Sequence, residues 1–160
     1  MPGVERDEFR AAMGLLPTGV TVVTAAGPEG PAGATANAVG SLSLDPMLML
    51  ACLDRGSRTL LAVQGANRFG VNVLSADQEA VARAFSTKAP VADKWQGIES
   101  AELSGVPAIG GALVSVACVV QDVIAGGDHV IVTGIVLDLR AREGEPLLFH
   151  RGAYLPLGSV

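Results

Sequence analysis

The sequence predicts a mostly β domain, a β-barrel with a few flanking helices, and three observations carry that expectation. Runs that read as strands outnumber those that read as helices, and no regular strand–helix alternation appears. The two longest apolar runs, Leu113–Ile124 and His129–Leu139, are joined by Gly126-Gly127-Asp128, which supplies a turn. With 160 residues, 49% of them hydrophobic, the chain is long enough to bury a core and short enough to be one domain over 1–160.

Taken in order, Arg6–Gly14 places Phe9 and Met13 at i and i+4, one apolar stripe of a helix that Pro17-Thr18-Gly19 ends. Val20–Ala25 reads as a strand. Gly27-Pro28-Glu29-Gly30-Pro31 has turn composition, so Ala32–Val39 beyond it completes a hairpin. Met47–Leu53 reads as a buried strand, Thr59–Gln64 as a short helix, and Phe69–Leu74 as a strand in which Val71 and Val73 alternate with Asn72. Ser75 stands three residues before Gln78, a capping-box spacing, and Val81, Ala84 and Phe85 then share one face of a helix running to about Phe85. Between Ser86 and Gly111 the pattern is lost, with Pro90, Pro107 and four glycines. Such a stretch is an excursion of the domain, either functional or an idle surface segment. Neither of the two long strands keeps a polar face. Both faces are therefore expected to be covered, one by the barrel interior and the other by a helix or a partner subunit, which favours a dimer. Leu147–His150 makes a last short strand before Tyr154.

Composition excludes several classes. A net charge of -5 argues against nucleic acid, whose phosphates need a basic face. Met1–Arg10 is crowded with charge and unlike a signal peptide, and no apolar run approaches the ~20 residues of a membrane span, so no membrane is expected and the compartment is read as cytoplasmic. Cys52 and Cys118 lie in apolar runs and read as buried small hydrophobes; with His129 and His150 they show no ligand spacing, so no metal is expected. Gly27, Gly30 and Gly33 do not make a dinucleotide fingerprint, and no phosphate-loop or nucleophile-elbow motif occurs.

Four segments can carry chemistry. Thr35 to Ser43 sets hydroxyls and an amide among Ala and Gly, so that a flat ligand can approach the backbone and find hydrogen bonds; equally, it is a strand running into a Ser/Asn-rich turn. Ser57-Arg58-Thr59 opens a helix and suits an anion, unless Ser57 is only an N-cap and Arg58 a solvated charge. Lys88 and Lys94 can reach an anion or simply face water. His129, at the rim of the long hairpin, can orient a second substrate, serve as an acid, or be a solvated turn residue. Phe85, Trp95 and Tyr154 are either core or a lid over a flat ring.

In order and spacing these pieces resemble the flavin reductase-like family with the FMN-binding split-barrel fold, over nearly the whole chain. The pieces are Phe9-Arg10, Pro17 to Thr24, Thr35-Ala36-Asn37 with Ser41 to Pro46, Ser57-Arg58-Thr59, Phe69 to Leu74, Gly127-Asp128-His129, Pro146 to Phe149 and Arg151 to Tyr154. The resemblance implies a homodimer that binds FMN or FAD and takes hydride from NADH or NADPH, supplying reduced flavin to a monooxygenase component. It implies that Thr35, Ala36 and Asn37 line the isoalloxazine and ribityl chain, with Ser41, Ser43, Cys52, Leu53 and Asp54 close by. Ser57 and Thr59 would hold the phosphate, His129 would stand near the nicotinamide, and Phe85, Lys88 and Tyr154 would border the pocket. Ala38, where the family often has Ser, and Met47, where a second Pro commonly follows Pro46, depart from the pattern; one lost hydroxyl weakens binding by about 1 kcal/mol. The rival readings are a flavin-binding protein without reductase activity and an oxidase with tightly bound flavin.

Overall fold

The structure is a computed structural model describing residues 3–159. Its elements are α1 (Arg6–Met13), β1 (Thr18–Gly19), β2 (Thr21–Gly27), β3 (Gly30–Ala36), β4 (Val39–Leu44), β5 (Met47–Asp54), α2 (Arg58–Ala66), β6 (Arg68–Val73), α3 (Glu79–Phe85), α4 (Val91–Lys94), β7 (Ser100–Leu103), β8 (Val106–Ile109), β9 (Val114–Gly126), β10 (His129–Ala141), β11 (Leu147–His150) and β12 (Ala153–Pro156). Seven strands form one antiparallel sheet in the order β3-β2-β6-β9-β10-β5-β4, and β3 comes back against β5 to curl it into a barrel. Two smaller sheets, β1-β11-β12 and the β7-β8 hairpin, flank it.

Period-two alternation explains why the central strands are apolar throughout. On β2, Val23 and Ala25 point into the barrel with Phe69, Val71, Cys118 and Val132, while Val22 points the other way. There it joins Leu74, Ala82, Phe85, Ile109 and Leu147 in a second core beneath α3 and β11. Helix α2 closes the barrel by inserting Leu60 and Val63. Asn72, 1% exposed between the two cores, is fully used: its amide donates to Val22 O and Thr24 Oγ1, and its Oδ1 accepts from Ile109 N and Ser115 Oγ. This network ties β8 to the barrel. Gly134 is required by packing, because a Cβ there would lie 2.5 Å from the Phe69 ring.

Several sequence expectations need correction. The run Ala32–Val39 is not one strand: it breaks at Asn37-Ala38, and Val39–Leu44 forms β4, an edge strand where a Ser-rich turn was one reading. β5 is only partly buried, with Met47 56% exposed, and Cys52 is half-buried, unlike Cys118. Ser75 is not a helix cap. Its N–H is bonded to Gln78 Oε1, but its own hydroxyl turns to Asp77 and α3 starts only after Gln78; Ala82, not Ala84, is the residue buried beside Phe85. The stretch from Ser86 to Gly111 contains α4 and the β7-β8 hairpin. No residue of α1 is buried, and the far halves of β9 and β10 are open on this chain.

Candidate functional site

Strand pairing assembles the site. His129 lies opposite Asp54 in the β10-β5 register, so the β9-β10 turn stands beside the turn leading into α2, and Arg55 N donates to Asp128 O at 3.0 Å to lock the two turns together. The Asp54 carboxylate accepts the Gly56 N–H at 2.7 Å, shaping that turn. On the opposite wall, Thr21 Oγ1 donates to Ala36 O and Thr35 Oγ1 to Ala82 O, both at 2.6 Å, which pins the end of β3 beneath α3. Gly33 lies under the Phe85 ring, where a Cβ would come within 2.7 Å of it. Phe85 in turn meets Trp95 edge to face, with centroids 4.8 Å apart; the Trp95 Nε1 is buried without a hydrogen-bond partner.

Between these walls lies an open cleft of about 810 Å³, within the size range of small-molecule sites. It brings together Thr35, Ala36, Asn37, Cys52, Leu53, Asp54, Ser57, Thr59, Phe85, Lys88, His129 and Tyr154, every predicted site residue except two. Ser41 and Ser43 do not reach it. They sit on β4 opposite Met49 and Leu48, and because β4 runs antiparallel to β5 they recede from the cleft as Cys52 to Asp54 approach it. The walls also include Arg58, Thr87, Lys94 and Phe149. Of these, Phe149 was not singled out for the site in sequence, since its aromatic partner Tyr154 joins it only through the β11-β12 pairing, with centroids 5.1 Å apart.

Ser57 is the N-cap of α2: its Oγ accepts the N–H groups of Thr59 at 3.1 Å and Leu60 at 3.3 Å, and Leu61 N reaches Ser57 O. Three of the first four N–H groups of the helix are thereby engaged, so charge for an anion has to come from side chains. It is available. Arg58, Lys88 and Lys94 all line this end, and none has a carboxylate partner among the described residues, where the ion pairs are Arg83–Glu79 and Asp128–His129. Arg58 Nη2 instead donates to Lys88 O at 2.8 Å. Beside the turn into α2, His129 Nδ1 lies 2.8 Å from Asp128 Oδ1, and this hydrogen bond holds the exposed Asp128 carboxyl below its ordinary range. Among the described residues there is no cluster of three or more metal-ligating side chains, and no helix is long and apolar enough to cross a membrane.

An aromatic- and alanine-lined cleft, cationic at one end and carrying an imidazole at its rim, suits a flat ring with an anionic tail, and known proteins point the same way. Residues 13–158 match the flavin reductase like domain, and the chain belongs to that family. It is 41% identical over 155 residues to the FMN reductase (NADH) SmoA of Agrobacterium fabrum, covering 96% of this chain and 88% of that protein. It is 40% identical to HsaB, the reductase subunit of a flavin-dependent monooxygenase from Mycobacterium tuberculosis, covering 91% of this chain and 79% of that one. Among solved structures, the NADH:FAD oxidoreductase of Streptomyces globisporus, in complex with NAD and FAD fragments, superposes with a TM-score of 0.87 at 35% identity, over 96% of this chain and 95% of that one.

Proposed function

We propose that this chain is an NAD(P)H:flavin oxidoreductase, one domain over residues 1–160 that reduces FMN or FAD and supplies it to a partner monooxygenase. The observation that carries the reading is one cleft lined both by three cations with no carboxylate partner among the described residues and by a histidine. When both nucleotides are bound, hydride passes from nicotinamide C4 to flavin N5, chemistry that belongs to the two cofactors. The chain supplies binding and orientation. Thr35, Ala36 and Asn37 form the wall for the ring and ribityl chain. Because the Thr35 hydroxyl already donates to Ala82 O, it offers only acceptor capacity, and the exposed Asn37 amide is the donor on this wall. Cys52, Leu53 and Asp54 face it, Ser57 and Thr59 donate hydroxyls toward the phosphate, and Phe85, Lys88 and Tyr154 border the opening. His129, fixed by Asp128, orients the nicotinamide. NADH is the nicotinamide for which the relatives above are named.

The functional unit is a homodimer in the cytoplasm. Supporting the dimer, Phe9 and Met13 of α1, Leu42 and Leu44 of β4, and Ile135, Leu137 and Leu139 of β10 are all exposed, more apolar surface than a solitary chain ordinarily leaves in water.

The test is to mix purified protein, free flavin and NADH and follow the nicotinamide absorbance band. Oxidation that requires added flavin is expected; no oxidation with either NADH or NADPH would overturn the reductase reading and leave flavin storage. His129→Ala is expected to raise the nicotinamide KM while leaving flavin affinity nearly unchanged.

A further inference from the structure

Of the chain's 11 Lys and Arg residues only two are lysines, Lys88 and Lys94, and both line the same cleft of an acidic protein. The distinction matters chemically, since an arginine stays charged at any accessible pH whereas a lysine amine can surrender its proton. Lys94 ends α4 and is half-buried, and its Nζ makes one long hydrogen bond, 3.4 Å, to the neutral Gly33 carbonyl. β3, on which α4 packs, has no ionisable side chain. Arg58 and Lys88 share this end of the cleft with Lys94, and Cys52, Asp54, His129 and Tyr154 complete the ionisable lining. Asp54 spends an oxygen on Gly56 N, Asp128 is paired with His129, Glu79 is paired with Arg83, and Asp93, next to Lys94 on α4, is not part of the cleft lining. Among the described residues Lys94 thus faces like charge with no anion to answer it.

We propose that Lys94 is a specificity-determining residue whose ammonium reads the phosphate of a flavin nucleotide, so that the preference for phosphorylated over unphosphorylated flavin is coupled to its proton. The inference rests on the flavin reading above. In the free protein, burial and the Arg58 charge hold the Lys94 amine below the ordinary lysine range. A phosphate dianion beside it favours the charged form and raises that value, so binding takes up a proton. Affinity for FMN is therefore full below the free-state pKa of Lys94 and falls as pH rises through it. Because a phosphate monoester is already dianionic above about pH 7, the window to examine is about pH 7 to about pH 10.

The experiment measures dissociation constants of FMN and riboflavin by flavin fluorescence across that window and takes their ratio, which cancels any ionisation the ring itself undergoes. In the unaltered protein the preference for FMN is expected to shrink with rising pH. Lys94→Met should cut it about tenfold at neutral pH and flatten its pH dependence. Lys94→Arg, which keeps charge and length, should keep the preference and make it independent of pH; this variant separates lost charge from disturbed packing. A ratio unchanged in Lys94→Met, or a pH dependence that persists in Lys94→Arg, would overturn the proposal while leaving the flavin reading intact. If neither flavin binds at all, the functional reading fails and this inference with it.

Discussion

On β9, Ser115 to Cys118 are buried, whereas Val123 and Ile124, equally suited to a core, are 41% and 48% exposed on the same strand. β10 shows the same division: Val132 is fully buried, while Leu137 and Leu139 are 45% and 55% exposed. Pairing explains the difference. β9 has β6 beside it only from Val114 to Val119, and β10 has β5 beside it only from His129 to Ile135, so each strand has two neighbours for half its length and one for the rest. Register shifts near Thr133 and Val136 mark the changeover on β10. Apolar patterning therefore reports how much of a strand is meant to be covered, and this chain alone leaves the far half of each strand, at opposite ends of the ribbon, with a single neighbour.

The comparison can be broken or sharpened by mutation. Phe69→Ala empties the barrel where β6, β9 and β10 meet around Gly134, and should cost about 4 kcal/mol in chemical denaturation. Asn72→Ala strands the Ile109 N–H and the Ser115 hydroxyl between two cores, and should cost about 3 kcal/mol, with β7-β8 amides losing hydrogen-exchange protection first. On the uncovered half, Leu139→Ser should change the stability of the isolated chain by less than about 0.5 kcal/mol, yet abolish a denaturation midpoint that rises with protein concentration. A concentration-independent midpoint in the unaltered protein would mean that nothing covers this half. The smallest effect concerns the thiols. Burial pushes Cys118 up to about 12, so it should stay unalkylated in the native protein near pH 8, while Cys52 reacts slowly from the cleft and is protected by saturating FMN.

Much of this was legible from sequence where a physical period is long enough to register. Strands β2, β9 and β10 are rich in β-branched residues, β6 alternates Val71 and Val73 with Asn72, β11 is a short apolar run, and Ser57 announces α2 by its capping chemistry. β4 was obscured because Gly40, Ser41 and Ser43 suit a turn as well as an edge strand, and Ser41 and Ser43, which the resemblance implies lie close to the site, are carried away from the cleft by the β4-β5 register. The β7-β8 hairpin has strands of four residues, and its Ser104-Gly105 turn takes left-handed backbone, φ 46° and 86°, at a serine that does not advertise it. Lys94 was visible as a lysine, but its partial burial beside Arg58 depends on α4 folding back onto β3, a contact across 61 residues that no local pattern encodes.

Trp95 is the chain's lone tryptophan, and it stands one ring behind the cleft, braced on Phe85 with its indole N–H unanswered. The molecule thereby carries its own gauge. Any tilt of the Phe85 wall alters the surroundings of a single indole, so fluorescence excited at wavelengths that Tyr154 does not absorb reports on one known spot in the unlabelled protein.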